Sequence, residues 1–439
     1  MVVWDEMPNA HVQDIMVAHE LLCHIMHTPT SVPFGGKLVL GLGDFKQIAP
    51  VVPGGQKCDI EAASIKLCRE LWGKARVHNL TEQVRAAEDL AHAGFVRRVG
   101  NGEDPRQNIT LAGERHRNIT PLLRSYNVHF DSEPAAKKIW TPQVCNFTMW
   151  TRQLKAAFGC ALQVLHEIAN TDDGAQRLHQ RAVLCIKVNN VREVNSAVLR
   201  EVPGDECTFL SDTHVDTVGS DPELCAGHKP THRSRLEAGL SDQRWLQSLK
   251  DSSVPDHSLV LKRNCLCFLM RNLSLDDKAM NNTKVQVLST RKQRPTGKHT
   301  KNYLLVRVLA TGEYFFVPRV TFHFRTECGT RVARKQYPLR LAYAMTVNRS
   351  QGQTLDKVCL DLRAPPFSHG QLYVALSRVR KKGNLIILTL PEYAALLKHN
   401  EKRKGKDGKK RKKLGLASMG TAREFRGYTY NIVYQKLLR

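Results

Sequence analysis

Two apolar runs of strand length, Leu339 to Val347 and Val358 to Leu362, each end in polar and glycine residues. A parallel sheet that opens onto a ligand at its strand ends has this pattern. The segment GQLYVALSR that follows has helical spacing and carries Arg378 on its exposed end. The chain from its start adds elements of the same kind. MVVWDEMPNA reads as the end of a buried strand followed by the acidic pair Asp5 and Glu6. From Asn9 to Met26, Val12, Ile15, Met16, Leu22, Ile25 and Met26 recur at helical spacing and predict a helix packed over that strand. Lys37 to Leu42 predicts a second strand, with Gly43, Asp44 and Gln47 at its ligand edge. LTEQVR, Leu80 to Arg85, leaves a further apolar strand.

From Arg97 to Leu178 the pattern is helical and polar, with turns at Asn101-Gly102 and Asp173-Gly174. AVLCIKV after Arg181, followed by NNVREVNSAVLREV, is a strand and helix that open a second lobe. Thr213 to Asp256 is polar and reads as a linker. Between Ser258 and Phe324 short β-rich runs alternate with turns, which predicts a small barrel inserted in the second lobe. A strand is expected at Asn384 to Leu390, a disordered basic loop at Lys398 to Lys413, and a last strand at Thr429 to Leu438.

Candidate chemistry sits at the strand ends. One carboxylate of an acidic pair can hold Mg²⁺ while the other orients or deprotonates a water; on a solvated turn the same pair is surface charge. Gln47 can hydrogen-bond a γ-phosphate or serve a turn, and Arg85 can reach a phosphate or solvent. In the barrel, Lys262, Arg263, Arg271, Lys284, Arg291, Lys292 and Arg294 line either a strand-binding groove or a solvated face.

Composition narrows the partners. Lys and Arg outnumber Asp and Glu by 66 to 41, a net charge of +25, which favours a polyanion. The apolar runs are strand-sized and the N-terminus lacks signal-peptide regions, so a soluble intracellular chain with no membrane partner is expected. The 12 cysteines include no C-x-x-C pair, which argues against a zinc ribbon or a disulfide framework. Cys23 with His24 and His27, and Cys265 with Cys267, are the only local metal candidates, and each lacks a second ligand pair.

In this order and spacing, five segments resemble the PIF-type (petite integration frequency) helicases of superfamily one, especially the version carried by Helitron transposons. WDEMP is similar to helicase motif II, PFGGKLVLGLGDFKQIAPV to motif III and LTEQVR to motif IV; AYAMTVNRSQGQTLDKV is similar to motif V and GQLYVALSRVR to motif VI. The resemblance implies an α/β fold of two RecA-like P-loop NTPase lobes, the first incomplete, with a small SH3-like β-barrel in the second. The implied boundaries are residues 1–95 for the first lobe, 96–180 for a helical connection, 181–257 with 338–439 for the second lobe, and 258–337 for the barrel.

It also implies ATP and Mg²⁺ as cofactors and ATP-driven 5′ to 3′ translocation on single-stranded and forked DNA, in repair, recombination, telomere maintenance or Helitron transposition. Asp5, Glu6, Gln47, Arg85 and Arg378 would be catalytic, with Asp5 on the metal. Gly43, Asp44, Gly352 and Gln353 would line the nucleotide, and Thr346, Asn348, Arg349, Ser350 and Gln351 the DNA strand. A monomer in the nucleus is expected, with the mitochondrion as the alternative location.

One departure matters. No G-x-x-x-x-G-K-[ST] run occurs in the sequence, so the first lobe is expected to be truncated before motif II, without a phosphate cradle. The competing expectations are a nonenzymatic nucleic-acid-binding remnant and, on charge alone, an RNA-associated basic protein.

Overall fold

The computed structural model describes residues 1–80, 84–103, 117–121, 127–130, 179–216, 243–251, 253–273, 279–290, 303–326, 330–389 and 428–438. It divides into two compact units, one formed by Met1–Trp150, Val183–Val191 and Met345–Arg439, the other by Thr151–Ala182 and Arg192–Ala344.

The first unit is built on a five-stranded sheet in the order Ala344–Thr346, Arg181–Cys185, Lys357–Asp361, Leu385–Thr389, Asn127–Phe130. The last three strands run parallel, with Val358 opposite Leu385 and Ile386 opposite Asn127. RAVLC and KVCLD are almost continuously apolar and almost wholly buried, as strands covered on both faces must be. Asp361 closes its strand as a buried carboxylate paired with Arg363 at 2.8 Å.

A separate parallel pair, Val2–Trp4 with Val39–Gly41, sets Val2 opposite Val39 and Val3 opposite Leu40. The strand read as buried is open to solvent: Val3 is 52% and Leu40 47% exposed, and Val2, Leu38 and Leu42 are exposed too. The helix Val12–Ile25 forms as expected, capped by the His11 side chain, which accepts from the Gln13 N–H. Its buried face differs, however. It consists of Ile15, His19 and Cys23, one turn apart, whereas Leu21 and Ile25 face solvent. His19 explains this: its Nδ1 accepts the Phe34 N–H and its Nε2 meets the Thr30 carbonyl, so the imidazole anchors the following loop. Cys23 donates to the Val32 carbonyl. Among the described residues no group of three or more His, Cys, Asp or Glu side chains could hold a metal.

Several expected elements change character. The strand expected just before Arg85 is not found among the described residues: 75–80 are irregular, with Val77 and Leu80 exposed. Within the region read as helical, Leu90–Asn101 is a helix, but Arg117–Pro121 and Asn127–Phe130 are strands. The turn at Asp173-Gly174, most of the 213–256 linker, the 398–413 basic run, and Arg291, Lys292 and Arg294 lie outside the described residues. The last strand is shorter than expected: Tyr428–Ile432 pairs antiparallel with Arg117–Pro121, and Gln435–Leu438 is helical.

In the second unit, Tyr314–Val317, Leu304–Val308, Lys284–Val287, Leu266–Leu269 and Leu339–Leu341 form an antiparallel sheet in that order. One face carries the core: Cys267, Leu269, Val285, Val287, Val306, Val308, Val317 and Leu339. Val320–Arg325, Arg331–Gln336 and Asp212–Val215 make a separate three-stranded sheet.

The run Leu339 to Val347, read as one strand, is two. Leu339–Leu341 ends the second unit's sheet and Ala344–Thr346 begins an edge of the first unit's. The break follows from Asn195, a buried side chain on the helix Val188–Glu201. Its Oδ1 accepts the N–H groups of Tyr343 and Ala344, and its Nδ2 donates to the carbonyls of Leu341 and Ala344. A side chain thus takes the bonds that a continuous ladder would have used.

Candidate nucleotide and nucleic-acid site

In the first unit, residues separated by more than 300 positions in sequence converge. Trp4 ends its strand, Asp5 is exposed, and Glu6 turns the chain with φ 49°. Asp5 Oδ1 accepts the Glu6 N–H at 2.9 Å, which fixes the pair side by side. The Glu6 carboxyl is pushed up from its ordinary range, first by burial; Asp5 and Asp44 push the same way, while the Gln351 side chain and Arg378 oppose them. Gln351 Nε2 lies 3.5 Å from Glu6 Oε2.

Asp44 follows the second strand, and both of its oxygens are engaged. Oδ1 accepts the Lys46 N–H and Oδ2 accepts the Tyr373 hydroxyl at 2.7 Å. Tyr373 lies on the helix Gln371–Leu376, which starts immediately after Gly370. Gly370 has φ 73°, and a Cβ there would meet the Gln47 carbonyl oxygen at 2.3 Å, so the approach of the two loops requires glycine. Beside it His369 is fully buried. Its Nε2 meets the Phe45 carbonyl at 2.8 Å and its Nδ1 accepts the Tyr434 N–H at 2.9 Å, an arrangement that only the neutral Nε2–H tautomer satisfies. Burial accordingly pushes the imidazole pKa down. Gln47 is half-buried and its Oε1 is a buried acceptor without a hydrogen-bond partner.

Arg378 corrects the sequence reading. It lies two residues beyond its helix and is 1% exposed, not at an exposed tip. Nε donates to the Val374 carbonyl at 2.9 Å, Nη1 to the carbonyls of Ser350 and Gln353 at 3.2 and 3.0 Å, and Nη2 to Ser377 Oγ at 2.8 Å. Burial, followed by the neighbouring Arg85, pushes its pKa down to about 10. Arg85 donates to Thr354 Oγ1 and the Ser377 carbonyl. Two guanidinium groups are thereby held near each other, with Arg378 also near Glu6, and their positive charges favour an anion between the loops.

The nucleic-acid candidates occupy the turn after Ala344–Thr346. Thr346 caps it by accepting the Arg349 N–H, and Ser350 is fully buried with its hydroxyl on the Val347 carbonyl, so these two shape the turn. Asn348 is exposed, and its Oδ1 accepts from Gln371 Nε2. Gln371 Oε1 in turn accepts the N–H groups of Phe367 and Ser368. Burial lowers the pKa of Arg349. Gly352 is exposed at φ 77°, and Gln353 donates to the Arg349 carbonyl.

The structure therefore gathers Glu6, Asp44, Gln351 and Arg378, with Arg85 bonded to the same loops. Thr81, Glu82 and Gln83 lie outside the described residues. Gln371, Tyr373 and His369 were not singled out from sequence. Tyr373 sits inside a run that reads as an apolar helix face, and the only available signal was a polar atom in a segment otherwise suited to burial.

Residues 1–106 match the model of the PIF1-like helicase family. The chain is similar to the PIF1-like helicases over this stretch. It is 30% identical over 389 residues to the ATP-dependent DNA helicase Pif1 of Bdellovibrio bacteriovorus, covering 88% of this chain and 65% of that protein. It is 29% identical over 365 residues to PIF1 of Rattus norvegicus, covering 81% of this chain and 41% of that one. The chain spans less than half the length of the vertebrate relatives it matches. A crystal structure of Bacteroides Pif1 bound to ssDNA superposes with a TM-score of 0.51 at 16% identity, covering 92% of this chain and 75% of that one. The fold is the two-lobed RecA-like α/β fold of the Pif1 helicases.

Proposed function

We propose that this chain carries most of the motor of an ATP-dependent 5′ to 3′ DNA helicase that translocates on single-stranded and forked DNA. The observation that carries this reading is the convergence, within one unit, of Glu6, Asp44, Arg85, Gln351 and Arg378 from five separate stretches of sequence. In such a motor ATP binding draws the lobes together and hydrolysis releases them. The names of the relatives, ATP-dependent DNA helicases, support the reaction class.

The residues present suit a magnesium nucleotide. Asp5 offers an exposed carboxylate beside Glu6, and Mg²⁺ is commonly held by one or two carboxylates together with substrate phosphates. The unpartnered Gln47 Oε1 can accept from a water at the γ-phosphate, and Arg85 and Arg378 supply positive charge. Glu6, with its raised pKa, suits proton acceptance from that water. Thr346, Arg349 and Ser350 order the turn from which Asn348 meets the DNA strand, and Gly352 and Gln353 keep the nucleotide side of that turn open.

The opening parallel pair exposes apolar side chains where a RecA-like sheet would continue, and the sequence contains no G-x-x-x-x-G-K-[ST] run. A second reading, a nucleic-acid-binding remnant without catalysis, is favoured by the same absence and by the bonding of Arg378 to protein carbonyls. The function reading includes a nuclear location, on the basic run at 398–413.

The deciding experiment measures ssDNA-stimulated ATP hydrolysis by this polypeptide and by a version extended with a strand, phosphate loop and helix. Activity in the extended form, abolished by Glu6→Gln, supports the motor. An extended form that binds ATP but never hydrolyses it leaves the remnant.

A further inference from the structure

Besides the core face, the antiparallel sheet of the second unit has an outer face, and one margin of it is aromatic. Tyr314 and Phe316 alternate with the inward Phe315 and Val317 on the edge strand Tyr314–Val317, and stand 62% and 46% exposed. The cross-strand register places Arg307 opposite Tyr314 and Leu305 opposite Phe316. Tyr303 meets the Phe316 ring edge-on at 6.3 Å between centroids, and the Arg307 guanidinium lies 5.9 Å from the centre of the Tyr314 ring. Neighbouring side chains fix these rings, and no described residue covers them.

We propose that this strip is a second single-strand contact, on which successive bases stack. It rests on the reading above that the chain grips single-stranded DNA, and adds a place and a chemistry that the helicase motifs do not supply. Positions i and i+2 on a strand are about 7 Å apart, a spacing that receives bases unstacked from one another. Aromatic rings accept any base by its π face, and a guanidinium beneath a ring strengthens the electrostatic grip on an anionic strand. Charge selects this occupant over an acidic or apolar protein segment that needs no phosphate partner. The stretch Arg291 to Asn302, which leads into Tyr303, contains five Lys and Arg and no Asp or Glu, within a chain of net charge +25.

The test uses the full chain, a fluorescein-labelled oligothymidylate, and the same backbone made from abasic nucleotides, compared by fluorescence anisotropy. The double variant Tyr314→Ala with Phe316→Ala should bind oligothymidylate at least roughly tenfold more weakly, since each stacked base is typically worth a factor of several to a hundred. Its affinity for the abasic strand should be unchanged. Phe316→Trp should keep wild-type affinity, and its fluorescence should be quenched by oligothymidylate but not by the abasic strand. Equal binding of both probes by the unsubstituted chain, an unchanged affinity in the double variant, or the same loss on both probes overturns the proposal. Unchanged affinity would leave the strip to a protein partner. Failure of the unsubstituted chain to bind either probe would remove the helicase reading as well, whereas intact binding by the double variant removes only the strip.

Discussion

Arg378 can be tested as a strut independently of any catalysis. Replacing it by alanine removes two bonds that join the end of the motif VI segment to the motif V turn, those to the carbonyls of Ser350 and Gln353. Hydrogen bonds from a charged donor contribute about 1.5–3 kcal/mol each, so the pair contributes about 3–6 kcal/mol. Against this stands the cost of burying the charge: the lowering of the guanidinium pKa to about 10 corresponds to roughly 3 kcal/mol. Arg378→Ala should therefore destabilise the first unit by about 0–3 kcal/mol. Arg378→Lys should be at least as damaging, because an ammonium keeps the burial cost but cannot reproduce the planar fork.

The sign of the pH dependence follows from the lowered folded pKa. The penalty grows as pH falls from the ordinary guanidinium range towards about 10 and is complete below that. The difference between wild type and variant should thus be flat between about pH 6 and pH 9. Urea denaturation of the three proteins measures it. A lysine variant indistinguishable from the wild type, or more stable than the alanine variant, would refute the strut.

Three further outcomes follow from buried groups. His369 is held neutral with a lowered pKa, so the unfolded chain protonates first as pH falls below about 6.5, and stability should decline there; His369→Gln should flatten that decline in melts recorded at a series of pH values. Tyr373→Phe removes the hydroxyl that bonds Asp44 and should cost about 1.5–3 kcal/mol by urea denaturation, with unaltered circular dichroism. Lys284 is buried in the second unit, donates to the carbonyls of His179 and Arg181, and has its pKa pushed down to about 7 by burial. Its contribution is fully present above the unfolded value of 10.5 and is lost as pH falls towards 7, so the wild type should gain stability on going from neutral to alkaline pH while Lys284→Met should not.

Much of the candidate site was legible in sequence because its polar residues interrupt apolar runs. Asp5, Glu6, Asp44, Arg85 and Gln351 stand in short polar interruptions of apolar runs, and the structure sets most of them at strand ends or turns. Lys357–Asp361 and Leu385–Thr389 were legible for the same reason, since buried parallel strands tolerate few polar side chains. Long-range side-chain bonds were not legible. Nothing near Tyr343 announces that Asn195 will capture its N–H and split an apolar run between two sheets. Nor does a helical pattern around His19 reveal that its imidazole anchors a loop and so turns the buried face away from Ile25. Arg378 was misplaced because arginine at a helix end is ordinarily solvated, and the carbonyls that receive it come from a turn 25 to 28 residues earlier.

The bare ladder formed by Val2–Trp4 and Val39–Gly41 has a colloidal consequence. Two parallel strands with valine and leucine open to water can template lateral association between copies, while a net charge of +25 keeps those copies apart. The range of that repulsion shrinks from about 30 Å at 0.01 M salt to about 8 Å at 0.15 M. Added salt should therefore promote self-association of this polypeptide, read by light scattering. A short polyanion, by neutralising the same charge, should do so at still lower ionic strength.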